Sequence, residues 1–188
     1  MNKIIIPDNS LVVLCGIAGC GKSTFAAKHF LPTQIVSSDG CRAMLSDDES
    51  NQKVTGHAFE LWRFIIRKRL FLNRLSVADA TNLERGDRVW LTKTAAYHNF
   101  YTTAVIFDIP FAVCIERNAS RHRVVPEEAL ARQYSMLQET LRSIKDEAFD
   151  FVFVINEKSQ SLVEVEVAQS GIKKSAEQTE ITEQTESI

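Results

Sequence analysis

The run Gly16-Ile17-Ala18-Gly19-Cys20-Gly21-Lys22-Ser23-Thr24 meets the pattern G-x-x-x-x-G-K-[ST] at every fixed position. That spacing suits one kind of chemistry. Glycines let consecutive backbone N–H groups curl around an anion, and a helix starting there adds partial positive charge. Lys22 would reach the β- and γ-phosphates, Ser23 would offer a hydroxyl to Mg²⁺, and Thr24 completes the motif. Cys20 fills a position the pattern leaves free, where either a reactive thiolate or a merely variable loop residue could stand. The expected ligand is a nucleoside triphosphate with Mg²⁺.

A phosphate loop does not name an acceptor, so the other chemistry-bearing residues matter. Asp39 closes the run Ile35-Val36-Ser37-Ser38-Asp39, just after the second strand. In an open parallel sheet the carboxyl ends of strands line the ligand crevice, which puts Asp39 beside the phosphate loop. A carboxylate there can take the proton of an attacking hydroxyl; capping a helix is the competing use. Arg42 would start the following helical turn, where it suits either an acceptor phosphate or a surface ion pair with Asp47 or Asp48. Asp79, at the end of Val77-Ala78-Asp79-Ala80-Thr81-Asn82, holds the place of an acid that backs Mg²⁺ or its Ser ligand, with Thr81 and Asn82 shaping the turn. On a helix, Arg117 and Arg121 would share a face at i, i+4. They could form a lid over donor phosphates or simply a basic exposed helix end. His122, His29, His57 and His98 suggest neither acid–base duty nor a metal site.

The elements that must position these residues alternate regularly. Apolar runs predict strands near 11–15, 34–37, 75–80, 102–107 and 151–155, and helical patterns predict helices near 22–30, 54–74, 85–99, 111–118 and 127–143. Short apolar strands separated by helices imply an α/β fold, a parallel sheet sandwiched by helices. The longest helix carries a stripe of Phe59, Trp62, Ile66 and Leu70, opposite a basic face of Arg63, Arg67, Lys68, Arg69 and Arg74. That face is either solvated or a nucleic-acid contact. Pro126-Glu127-Glu128 is a helix start, and the alternation over 163–167 predicts an edge strand.

With 188 residues the chain suits one domain, and its 45% hydrophobic and 24% charged content is ordinary for a globular protein. A net charge of −2 excludes holding nucleic acid by bulk electrostatics; such a partner must be gripped locally. Cys15, Cys20, Cys41 and Cys114 show neither a C-x-x-C pair nor ligand spacing, and Cys15 and Cys114 read as core residues. Without a signal peptide or an apolar stretch of membrane-spanning length, the expected setting is the cytoplasm, with no membrane partner. Residues 1–170 are expected to form the domain and 171–188, polar and repetitive, a disordered tail.

Together these residues resemble the kinase domain of bacterial polynucleotide 5′-kinases, the P-loop module of RNA-repair kinase–phosphatase enzymes. The resemblance is carried by 16–24, Ser37-Ser38-Asp39 with Arg42, Asp79-Ala80-Thr81-Asn82, and the stretch from Arg117-Asn118 through Arg121-His122-Arg123-Val124-Val125-Pro126. It spans about 10–156 and implies a P-loop kinase fold with an Arg-bearing lid. By this resemblance Lys22 and Ser23 meet the donor phosphates and Mg²⁺, Asp39 is the base toward a 5′-OH, and Arg42 holds the phosphate of the acceptor's terminal nucleotide. Arg117 and Arg121 would contact ATP, and Asp79 would support loop and metal without reacting. The implied activity is ATP-dependent phosphorylation of a 5′-OH end of RNA or DNA. Such kinases are often fused to phosphatase or ligase modules that this chain lacks, so healing would call on separate repair enzymes. A small metabolite or a tRNA-linked group is the alternative acceptor, and a nucleotide-driven switch without an acceptor is the remaining reading.

Overall fold

The central strands are buried along nearly their whole length, and this sets the sheet between two layers of helices. The computed structural model describes residues 3–121 and 123–169. The tail expected over 171–188, and His122, lie outside the described residues.

The strands β1 (Lys3–Pro7), β2 (Ser10–Cys15), β3 (Ile35–Ser37), β4 (Ser76–Asp79), β5 (Tyr101–Asp108), β6 (Phe151–Asn156) and β7 (Glu164–Ala168) alternate with seven helices among the described residues. These helices are α1 (Lys22–His29), α2 (Ser38–Ser46), α3 (Thr55–Phe71), α4 (Arg85–Tyr97), α5 (Phe111–Ala119), α6 (Glu127–Ser143) and α7 (Glu157–Gln160). Five strands form one parallel sheet in the order β3-β4-β2-β5-β6. Every residue of β2 is buried, as expected for a central strand covered on both faces. In register, Asp79 stands beside both Leu14 and Ser37, so β2, β3 and β4 end together and open one crevice. The α/β sandwich expected from the alternation is the observed architecture.

One expectation is corrected. The alternating strand near 163–167 does not edge the main sheet; β7 pairs in parallel with β1 as a separate two-stranded ribbon. The sequence reading missed β1. Its Ile4 and Ile6 are buried while Lys3 and Ile5 are exposed, and Lys3 forms an ion pair with Glu166 across the ribbon. A strand with one apolar face suits a ribbon laid on the body better than a sheet buried on both sides.

Side chains fix the strand ends. Trp62 on α3 donates its indole N–H to Val36 O at 2.8 Å, seating α3 on β3. Asn82 adopts φ 47°, a left-handed turn that asparagine tolerates, and its amide donates to Leu14 O at 2.8 Å and Ala78 O at 3.0 Å. Behind it, Arg88 on α4 donates to Asn82 O (3.0 Å), Leu83 O (2.8 Å) and Thr140 Oγ1 (3.2 Å). The same guanidinium makes a two-pronged pair with Glu147, at 2.8 and 2.6 Å, with side chains only 2% and 3% exposed. Sequence spacing carries no sign of this pair, since its members lie on distant segments.

Two arginines of the basic face of α3 are spent on the protein itself. Arg63 pairs with Asp87 at 2.7 Å and lies over the Trp90 ring, and Arg69 donates to Ser76 Oγ and Leu75 O. No helix among the described residues is long and apolar enough to cross a membrane.

Removing one member of a buried pair leaves the other charge uncompensated. Glu147→Ala should therefore lower unfolding stability by about 3–5 kcal/mol, read as a drop in denaturant midpoint. Replacing both members by apolar residues of similar volume, Arg88→Met with Glu147→Leu, should recover only part of that loss, because the carbonyls of Asn82 and Leu83 lose the donor they share.

Candidate active site

The phosphate loop starts where β2 stops. Gly16 N–H donates to Thr81 O at 3.0 Å, which ties the first residue of the loop to the turn after β4. Gly19 and Gly21 take φ +80° and +96°, a region side chains rarely enter. Space also forbids substitution at Gly19, where a Cβ would lie 2.4 Å from the backbone oxygen of Cys114, and a Cβ on Gly21 would lie 2.4 Å from Gln160 Nε2 and push that side chain away. Gly21 is the N-cap of α1, and neither a capping side chain nor an acid occupies the first turn. The helix therefore keeps its N-terminal dipole directed at the cleft. Lys22 Nζ donates to Gly16 O and Ile17 O, both at 2.8 Å, and lies 3.5 Å from Cys20 Sγ. Cys20 is thus a buried packing residue under the loop, and Thr24 lines the cleft beside Ser23.

At the end of β3, Ser37 caps α2, its hydroxyl accepting from Gly40 N–H at 3.3 Å. Because Ser37 does the capping, the Asp39 carboxylate is left for side-chain partners. It forms an ion pair with Arg42, and Arg123 Nη1 approaches it at 3.5 Å. Arg42 turns inward to this acid, its side chain 8% exposed, and not outward to Asp47 or Asp48. Across the crevice, Ser23 Oγ donates to Asp79 Oδ2 at 2.9 Å. Asp79 is 5% exposed, and burial raises its pKa above the ordinary carboxylate value. The Lys22 charge and the Ser23 hydrogen bond oppose that rise, and the nearby negative charge of Asp39 adds to it.

The arginine segment differs from the expected helical pair. α5 ends at Ala119, and Arg121 lies past that end, so Arg117 and Arg121 do not stack at i, i+4 on one helix. The break has a cause in Asn118. Its buried amide donates to Val125 O (2.9 Å) and accepts from Val125 N–H (3.1 Å), which holds Asn118 and Val125 together. Arg117, Arg121 and Arg123 nonetheless all line the cleft.

The cleft holds about 990 Å³, at the upper end of the usual range for ligand sites and roomy enough for two substrates. The described residues that line it include six basic side chains (Lys22, Lys28, Arg42, Arg117, Arg121, Arg123) against three acids (Asp39, Asp79, Glu157). A chain with net charge −2 thus concentrates positive charge at one place. Four contributors escaped the sequence reading: Arg123 and Asn118, quoted only as motif letters, together with Gln133 and Gln160. Gln133 Oε1 accepts from Ala18 N–H at 2.9 Å, and Gln160 bridges Cys20 O and Arg117. Glutamines on polar segments carry no local signal. Among the described residues no group of three or more His, Cys, Asp and Glu side chains could hold a metal unaided, so a cation here would lean on phosphate oxygens and water.

Known proteins share this fold. Comparison with curated proteins finds no match. A chain of a Pnkp1/Rnl/Hen1 complex is similar with TM-score 0.50 at 21% identity, over 64% of this chain and 40% of that one. This chain therefore spans well under two thirds of that protein's length. A gluconokinase from Sinorhizobium meliloti 1021 is similar with TM-score 0.50 at 18% identity, over 80% and 83% of the two chains. A Chloroflexus aurantiacus protein provisionally assigned as a kinase gives TM-score 0.54 at 16% identity, over 80% and 86%. At such identities the likeness is one of fold. Residues 11–140 match the profile of the AAA domain, and with the phosphate loop and five-stranded parallel sheet in place the chain belongs to that family and has the fold of P-loop kinases.

Proposed function

We propose that the protein transfers the γ-phosphoryl group of ATP to the 5′-hydroxyl end of RNA or DNA. One observation carries this reading: the Asp39 carboxylate, freed from capping by Ser37, lines the same cleft as the phosphate loop and is flanked by Arg42 and Arg123. The acceptor oxygen would bond to the γ-phosphorus as the bond to the bridging oxygen of ADP breaks, and its proton would pass to Asp39. Lys22, Arg117 and Arg121 would meet the charge that spreads over the phosphate oxygens. Arg42, paired with the base and nearly buried, can hold an acceptor phosphate so that the terminal hydroxyl points at Asp39.

The hydroxyl of Ser23 beside the buried Asp79 carboxylate offers the hard oxygen donors that fit Mg²⁺. Bound there, Mg²⁺ would neutralise charge on the β- and γ-phosphates. Four free, buried thiols fit a reducing cytoplasm as the setting. In this reading other repair enzymes would supply the remaining end-processing steps.

A small-molecule acceptor is the second reading, supported by the likeness to a gluconokinase, whose TM-score equals that of the chain in the Pnkp1 complex. Incubation with γ-labelled ATP and 5′-OH oligonucleotides, beside a panel of sugars and small alcohols, separates the two. Label appearing only on the small molecules overturns the polynucleotide reading.

Asp39→Asn should cut turnover by roughly 10²- to 10⁴-fold while nucleotide still binds, measured by single-turnover transfer and nucleotide titration. Arg42→Ala should raise the acceptor KM far more than the ATP KM. Asp79→Asn should weaken Mg²⁺–nucleotide binding by roughly 10- to 100-fold. The same variant reports on stability. Since burial raises the Asp79 pKa, the folded chain takes up a proton there more readily than the unfolded one. Unliganded stability from this group therefore rises as pH falls from neutral through the raised pKa, and denaturant midpoints of Asp79→Asn against pH should lose that rise.

A further inference from the structure

The phosphate loop and the arginine segment are far apart in sequence, yet one side chain touches both. Gln160 Nε2 donates to Cys20 O at 2.7 Å, and Gln160 Oε1 accepts from Arg117 Nη1 at 2.9 Å. Each end of the amide is thereby used with the polarity it requires: the NH₂ faces a carbonyl and the oxygen faces a cation. The link also uses the special character of Gly21, because a Cβ there would fall 2.4 Å from the same Nε2.

Gln160 is not free to drift. It ends α7, which follows β6 directly, and β6 is paired with β5 as far as Asp108 and Asn156. Asn156 and Ser159 cap the turn reciprocally: Asn156 Oδ1 accepts from Ser159 N–H at 2.9 Å, and Ser159 Oγ accepts from Asn156 N–H at 3.0 Å. The sheet thus sets where the amide sits, and the amide sets where the Arg117 guanidinium sits.

We propose that Gln160 is a positioning residue that holds Arg117 against the phosphate loop in readiness for the donor's phosphates. This rests on the phosphotransferase reading above. An arginine side chain has many rotamers, and one already anchored through a single N–H keeps its other donors for a phosphate while losing little freedom on binding. Misplacing such a group by about 1 Å can cost as much as a hundredfold in rate.

The test compares wild type, Gln160→Ala, Arg117→Ala and the double variant, by kcat/KM for ATP in labelled phosphoryl transfer and by titration with a fluorescent ATP analogue. Thermal melting is recorded for all four. Gln160→Ala is expected to lower kcat/KM for ATP by roughly ten- to a hundredfold. The double variant is expected to be no worse than Arg117→Ala, because the amide acts through that arginine. Wild-type kcat/KM in Gln160→Ala, or losses that multiply in the double variant, overturns the proposal. A lowered melting temperature with unchanged kcat/KM assigns Gln160 a structural role and also overturns it. If wild type transfers phosphate to no acceptor, the phosphotransferase reading fails by itself. Analogue affinity then decides the Gln160 role by the same rule: non-multiplying losses support the Arg117 link, and multiplying or absent losses overturn it.

Discussion

The bond from Gly16 N–H to Thr81 O is a small interaction on which the site depends. It fixes where the chain leaves β2 and therefore where the phosphate loop begins. Thr81 is held in turn, because Asn82 fastens the end of β4 to Leu14 of β2 and the Arg88 guanidinium grips Asn82 O and Leu83 O from behind. Glu147 fills the other side of that guanidinium. A buried ion pair seldom adds net stability, since desolvating two charges offsets much of their attraction. Its value here lies in geometry: one planar cation with its donors in a fixed fork sets a turn, a helix and the start of a loop relative to one another.

The same economy governs the cleft. Phosphate chemistry calls for positive charge, yet crowded cations repel unless something intervenes. Asp39 lies between Arg42 and Arg123, and Gln160 offers a neutral oxygen to Arg117, so these guanidinium groups have partners within the protein. Asp79 is treated differently. It is buried against a serine hydroxyl at the cost of a raised pKa, a local strain of the kind that clusters at functional sites.

How much of this could be read from the sequence follows from range. The phosphate loop, the five strands of the main sheet and the acids at 39 and 79 are written in contiguous residues, where pattern and spacing speak for themselves. Arg88 with Glu147, Gln133 with Ala18, and Gln160 with Cys20 join segments far apart along the chain. A glutamine on a polar stretch looks the same whether it meets water or a loop. The helix assumed to carry both Arg117 and Arg121 failed for a related reason: Asn118 spends its amide on Val125, a tertiary choice that helical spacing cannot foresee. The strand near 163–167 was legible as a strand, but its partner was not, since β1 precedes the motifs that organise the rest.

That ribbon of β1 and β7 has a mechanical consequence. The strands run in parallel, with Lys3 opposite Glu164 and Pro7 opposite Ala168, so the outer ends of the two strands lie at opposite ends of the ladder. Tension drawn between residues 3 and 168 would load its rungs in shear, all together, instead of peeling them one after another.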